Sequence, residues 1–265
     1  VRKAGWGELG VVLLASSLLT VALTYPVAFK AGHVGRVDNA DGQLSIWNIS
    51  WVARALVVDP LHVFDANIFY PHRGTLAYSE SNLGAGALAV PVYWATRNPY
   101  AAHNFVFLLA FVLSAAGMYF LVRRLTGNRP AAVVSAICFA FCPYVFAHTS
   151  HIQLEMDAGL PLAMLAFHRL ADRPAPRQGV MLGIVMAAQA ICCGYYGVFA
   201  ILLIGYAVVV VATTRGLWKS RQYWLAVASA ALVAVAIVLP AFVPYFTLQR
   251  DTGFHRSLED AGSFS

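Results

Sequence analysis

VDNADGQLSIWNISW, residues 37–51, carries two acids, Asp38 and Asp41, just after the first long apolar run of the chain. Only 11% of the 265 residues are charged, so two acids placed together there call for a reason. From Asp41 to Val57, Leu44, Trp47, Trp51, Val52 and Ala55 recur at three- and four-residue steps, with Gln43, Ser50 and Arg54 on another face. That period predicts an amphipathic helix. Its two indoles predict one lying flat in a membrane interface, where such rings concentrate. Asp41 falls at or beside the N-cap, where a carboxylate accepts backbone N–H groups. Capping is the plain structural reading of this acid, and chemistry is the other.

The surroundings of this stretch are those of an integral membrane protein. Hydrophobic residues make up 60% of the chain and the mean hydropathy is +0.66, beyond what a soluble domain of this length can bury. The net charge of +6 is spread over short loops with no basic run. It fits positive-inside topology and argues against a nucleic-acid partner. Cys138, Cys142, Cys192 and Cys193 lie inside apolar runs without ligand spacing and read as small buried hydrophobes. The chain opens on Val1 and stops within the polar EDAGSFS, which reads as the N-terminal part of a longer protein.

The expected fold is an all-α, polytopic transmembrane bundle of about seven spans. They are placed near residues 9–29, 100–122, 131–147, 158–170, 179–193, 196–213 and 224–246, with an outer loop over 30–98. Within that loop Asp59-Pro60 ends the amphipathic helix, and Tyr70-Pro71-His72-Arg73-Gly74 reads as a turn. Residues 83–95 are apolar but short, so a second interfacial or re-entrant helix is expected there. Residues 179–213 are too long for one helix and split at Cys193-Gly194-Tyr195-Tyr196-Gly197. With the N-terminus in the cytoplasm, 11 of the 18 lysines and arginines fall in short inner segments, and 10 of the 12 acids fall outside. Glu8 and Asp172 are the two inner acids.

The chemistry-bearing side chains collect on the outer side. The first loop holds Asp38, Asp41, His62, Asp65, His72, Arg73 and Glu80; the second holds His148, His151, Gln153, Glu155 and Asp157; the last holds Arg250, Asp251, His255 and Arg256. Seven of the eight histidines are assigned outside, all but His168. Conduction would place ionisable groups mid-span, and these spans have almost none. Asp38 and Asp41, at i and i+3, could act as base and orienting partner or share a divalent ion. His148-x-x-His151 reads as hydrogen-bonded loop histidines in preference to a zinc pair. Glu155-Met156-Asp157 suits a hard cation, or simply forms a solvated first helical turn. Arg73, Arg250 and Arg256 could fork onto a lipid phosphate or snorkel to headgroups.

On these residues the chain resembles the C-type (GT-C) polytopic glycosyltransferases. The strings DGQLSIWNISW, DPLHVFDANIFYP, FLVRRLTG and FAFCPYVFAHTSHIQ are similar to a group of bacterial membrane proteins of that superfamily. The resemblance implies transfer of a sugar from a polyprenyl-phosphate donor to a glycan, lipid or protein acceptor on the outer face of a bacterial inner membrane. It implies Asp41 as general base, with Asp38 as the alternative base or electrostatic neighbour. His148, His151 and Gln153 would line the substrate pocket, and His72, Arg73, Arg250 and Arg256 would bind substrate. Members that use a divalent cation, magnesium or manganese, take acids from the first two outer loops, here Asp41, Glu155 and Asp157; other members use none. The rival is a non-catalytic membrane protein, flippase-like or an assembly subunit, whose loop acids are structural.

Overall fold

The computed structural model describes residues 5–36 and 40–253, and every described element is helical. In chain order these are α1 (Trp6–Leu23), α2 (Ala40–Val58), α3 (Leu83–Thr96), α4 (Pro99–Thr126), α5 (Arg129–Ala140), α6 (Pro143–Ala147) and α7 (Ile152–Glu155). They continue as α8 (Gly159–Asp172), α9 (Pro176–Cys192), α10 (Gly194–Thr214) and α11 (Arg221–Thr252). Short 3-10 turns occur at Pro60–His62, Thr75–Tyr78 and Leu217–Lys219.

Five helices among the described residues are long and apolar enough to cross a membrane: α1, α4, the α5–α6 pair, α10 and α11. The expectation of about seven is therefore corrected. The expected spans over 158–170 and 179–193 correspond to α8 and α9, of 14 and 17 residues. At about 1.5 Å per residue both fall short of a hydrocarbon layer about 30 Å thick. The chain also breaks at Phe141 and Cys142, before Pro143, where one unbroken helix is expected. The break between α9 and α10 falls at Cys193, within the expected string.

Helix α4 is the hub. It packs against α1, α2, α3, α5 and α8. Its first turn is capped by Asn98, whose Oδ1 accepts from the Ala101 N–H at 3.1 Å while its amide donates to the Gly32 carbonyl at 2.9 Å. One turn on, Asn104 donates to the Ala31 and Val34 carbonyls at 2.7 and 2.6 Å. The link between α1 and α2 is thereby fastened to the head of α4. At the tail of α4 stand the two acids assigned to the inner side. Glu8 accepts from Tyr119 at 2.8 Å and Arg123 at 3.0 Å and pairs with Arg129 at 3.3 Å. Asp172 pairs with Arg124 and Arg215. The bundle thus has an end where acids are matched by arginines and an opposite end that carries Asp41.

Helix α2 forms with the expected period but turns a different face inward. Ser45, Ile46, Ile49, Ser50, Val52 and Ala53 are buried against α3 and α4, whereas Leu44 is exposed. Trp47 and Trp51, expected to meet lipid headgroups, stack on each other with centroids 6.5 Å apart. They donate to Asn67 at 3.1 Å and to the Val63 carbonyl at 2.8 Å. They serve as the wall against which the irregular 59–81 segment packs, through Val63, Ala66 and Leu76. His103, assigned outside, is instead buried within α4 and stacked on Phe107.

The second half of the bundle rests on a backbone-to-backbone approach that apolar runs conceal. Gly179 and Gly183, four apart on α9, face Ala226 and Ala230, four apart on α11. A methyl group added at either glycine would collide with the opposing carbonyl oxygen. Small residues at this spacing let membrane helices close in, so that dispersion replaces the hydrophobic drive that lipid cannot supply. Gly205 on α10 meets nothing within 4 Å. Gly179→Ala and Gly183→Ala are therefore expected to lower the melting temperature of the purified full-length protein by several degrees each. Gly205→Ala is expected to leave it unchanged or slightly raised. Equal melting of all three would remove the α9–α11 approach as a stability determinant.

Candidate functional site

Asp41 is the second residue of α2, and its side chain is 61% exposed at the mouth of the bundle. Across from it stands His151, with Nε2 3.5 Å from Asp41 Oδ2, an attraction once the imidazole is protonated. The two loops that the resemblance joins do meet here. One turn into α2, the Ser45 hydroxyl is 2.9 Å from the Asp41 carbonyl and 3.1 Å from the Ser150 carbonyl. It fastens the head of the helix to the second loop. Asp38, the alternative base, lies outside the described residues, as do Arg256 and His255.

From His151 the chain dips into the bundle as a strap over residues 151–157. Its only helical turn is the four-residue α7. Backbone that leaves a regular helix inside a membrane bundle must find partners from elsewhere. The Leu154 carbonyl accepts from the Tyr196 hydroxyl at 3.1 Å and the Met156 carbonyl from the Gln189 amide at 2.7 Å. Asp157, at the strap's end, accepts from the Ser114 hydroxyl halfway along α4. Ser114 and Gln189 are polar residues inside apolar helices, and that contrast is the signal by which the sequence could have marked them.

The strap sends its side chains in different directions. His151 faces Asp41, and Gln153 faces a cavity of about 370 Å³ that also holds Glu80, Phe242 and Tyr245. Glu155 is 3% exposed, and neither of its carboxylate oxygens has a hydrogen-bond partner among the described residues. Burial pushes its pKa up to about 8; the neighbouring Asp157 carboxylate adds to the rise, and the Arg36 guanidinium opposes it. Burial likewise raises Asp157 to about 6, against the hydrogen bond from Ser114. Arg36 lies 5.6 Å from the centre of the Phe146 ring. It is a positive group of this neighbourhood that the sequence reading leaves in an undifferentiated loop.

The remaining predicted residues lie apart from this group. His148 is bonded at 2.7 Å to the Tyr144 carbonyl one turn back, with its ring 4.2 Å from the Tyr144 ring. Exposed His72 and Arg73 line a cleft of about 440 Å³ between the Gly74 turn and α11, in company with Asp65 and Asp251. The Asp65 carboxylate accepts from the Gly74 N–H at 2.7 Å, which fixes that turn. Arg250 is exposed near the end of α11. Among the described residues no three histidine, cysteine or acidic side chains gather as a metal cage. Asp41, Glu155 and Asp157 therefore do not form the single set that the resemblance implies. The two orphaned oxygens of Glu155 are nevertheless what a hard cation takes, and magnesium commonly sits on one or two carboxylates with substrate phosphate completing its shell.

Residues 96–241 match the family model described as dolichyl-phosphate-mannose-protein mannosyltransferase. The matched region contains the strap, both buried acids and the α9–α11 pair, and leaves Asp41 and Glu80 on its N-terminal side. Neither the curated proteins nor the solved structures give a match. The match spans more than half of the chain, and its helices and buried acids have the character of a lipid-embedded enzyme. The chain belongs to the dolichyl-phosphate-mannose-protein mannosyltransferase family, membrane glycosyltransferases of the GT-C type.

Proposed function

We propose that this chain transfers a sugar from a polyprenyl-phosphate donor to an acceptor at the extracytoplasmic face of a bacterial inner membrane, with Asp41 as general base. The observation that carries the reading is the meeting of Asp41 with His151 above two carboxyl groups sunk in the bundle without cationic contacts. Buried acids with raised pKa and no ion-pair partner concentrate at catalytic sites. The acceptor hydroxyl gives its proton to the Asp41 carboxylate as its oxygen bonds the anomeric carbon. The bond from that carbon to the lipid phosphate breaks, and its electron pair leaves with the phosphate. His151 orients the Asp41 carboxylate.

Family membership supports the lipid-linked donor. His72 and Arg73 in their cleft, with Arg250 nearby in sequence to its Asp251 wall, are proposed as phosphate-binding groups, and His148 and Gln153 as pocket residues. Where the enzyme uses magnesium or manganese, Glu155 and Asp157 would hold it through their oxygens. Such an ion would neutralise charge on the departing phosphate.

Asp41→Asn in the full-length protein is expected to lower transfer from a polyprenyl-phosphate sugar by a factor of about 100 or more, within the range for removal of a general base. Membrane insertion and melting should be retained. Undiminished transfer would remove Asp41 as base and favour a helix-terminal role, which Asn also fills. A second test uses pH. Glu155 has an ordinary value of 4.5 and a folded value of about 8. Between these limits the unfolded chain has released the Glu155 proton and the folded chain keeps it. Stability from this group is therefore full below about 4.5 and declines as pH rises to about 8. In chelator-treated protein, Glu155→Gln should flatten that decline and melt several degrees above the parent at pH 8. Parallel melting curves would mean that the carboxyl is not desolvated.

A further inference from the structure

The cavity beside Gln153 is built apart from the Asp41–His151 pair, and the catalytic reading leaves it without an occupant. Its volume of about 370 Å³ lies in the range of small-ligand pockets, about 300–1,000 Å³. Four elements wall it: the segment entering α3, the strap, the α9–α10 junction and α11. Glu80 is its one carboxylate, and no arginine, lysine or histidine lines it.

Glu80 is held in place from every side. Its carbonyl accepts from the Asn48 amide at 2.9 Å. The carbonyl before it, of Ser79, and the N–H after it, of Ser81, both bond the single hydroxyl of Tyr245, at 3.1 and 2.9 Å. Its Oε1 accepts from the Gly194 N–H at 3.1 Å, and a methyl group at Gly194 would come within 3.2 Å of that oxygen. Burial raises its pKa, so the carboxyl is held at an energetic cost. One oxygen suffices to cap α10, and no protein group is bonded to the other. The Gln153 amide makes no side-chain hydrogen bond among the described residues. Phe242 and Tyr245 offer ring faces with centroids 5.6 Å apart, tilted by 33°.

An acceptor-only carboxylate and a two-way amide placed over aromatic faces match a ring that has hydroxyl groups on its edge and C–H bonds on its face. A phosphate or a uronic acid would meet Glu80 with like charge and no counter-charge. We propose that this cavity is a subsite for the uncharged, hydroxylated ring of a sugar, with Glu80 and Gln153 bonding its hydroxyls and Phe242 and Tyr245 beneath it. The proposal rests on the glycosyltransferase reading. The ring belongs either to the donor's transferred sugar or to the acceptor, whose chemistry at this point is shared.

Saturation-transfer NMR on the full-length protein in nanodiscs tests it, with methyl mannoside and methyl glucuronide as probes. The neutral glycoside is expected to receive saturation at least threefold more strongly than the anionic one. Phe242→Ala or Gln153→Ala should abolish the difference by weakening the neutral glycoside. Glu80→Gln, which keeps the bond to Gly194, should admit the glucuronide. No transfer to methyl mannoside, equal transfer to both glycosides, or indifference to all three substitutions would overturn the subsite. Because the readout needs no turnover, loss of transfer in Asp41→Asn alongside undiminished glycoside binding supports both readings. Loss of transfer there with no glycoside binding by the parent protein leaves the enzyme and removes the subsite. In turnover assays, a KM raised fivefold or more for the polyprenyl-phosphate sugar in Gln153→Ala assigns the ring to the donor, and the same rise for acceptor assigns it to the acceptor. Unchanged values for both count against the proposal.

Discussion

Backbone carbonyl groups cannot be left bare among packed apolar helices, and the strap over residues 151–157 meets that demand with borrowed side chains. Ser45 from α2, Tyr196 from α10 and Gln189 from α9 each donate to a carbonyl of the strap or of Ser150 just before it. Ser114 of α4 holds its final carboxylate. Such bonds contribute about 1 kcal/mol each, and an unpaired buried carbonyl costs more than that. Four helices therefore have to arrive in register for the strap to exist. Once it does, the positions of His151, Gln153, Glu155 and Asp157 are settled together.

The two ends of the bundle treat acids in opposite ways. Glu8 and Asp172 each meet two arginines, and these pairs tie α1 to α4 and α5, and α8 to α4 and α10. At the other end Glu155 is buried with both oxygens orphaned, and Glu80 is wedged against a backbone N–H. A carboxylate in low dielectric without a cation is a standing destabilisation. Its presence at one end alone separates the scaffold from the chemistry. The same division places the family match: it covers the scaffold helices and the strap, and the first loop supplies Asp41 and Glu80 from outside it.

Much of the architecture is legible in the sequence because periodicity and punctuation speak for it. The spacing from Leu44 to Ala55 gives α2 to within one residue at each end, and Cys193-Gly194 marks the α9–α10 junction. Which face of α2 turns inward is not legible. The buried side is rich in small and polar groups, and the indoles pack on an irregular loop that has no period. The spans over α8 and α9 are overcounted because an apolar run looks alike whether lipid or protein surrounds it. The spacing of Gly179 and Gly183 is visible, but only the opposing Ala226 and Ala230 give it meaning. Among the site residues, the meeting of Asp41 with His151 follows the expected joining of two loops, whereas the enclosure of Glu80 depends on Tyr245, some 165 residues further along the chain.

Helix α7 is one turn long, and at about 100° per residue Gln153 and Glu155 point to opposite sides of it. That single turn is a partition shared by two rooms, with an amide tenant on one side and an acid tenant on the other. Removing one residue from the turn would rotate the wall and exchange the occupants. An anion would then face the dry interior from a new bearing, and the sugar-sized room would lose its hydrogen-bond donor. Substitutions in this turn can be absorbed, but a change in its length cannot.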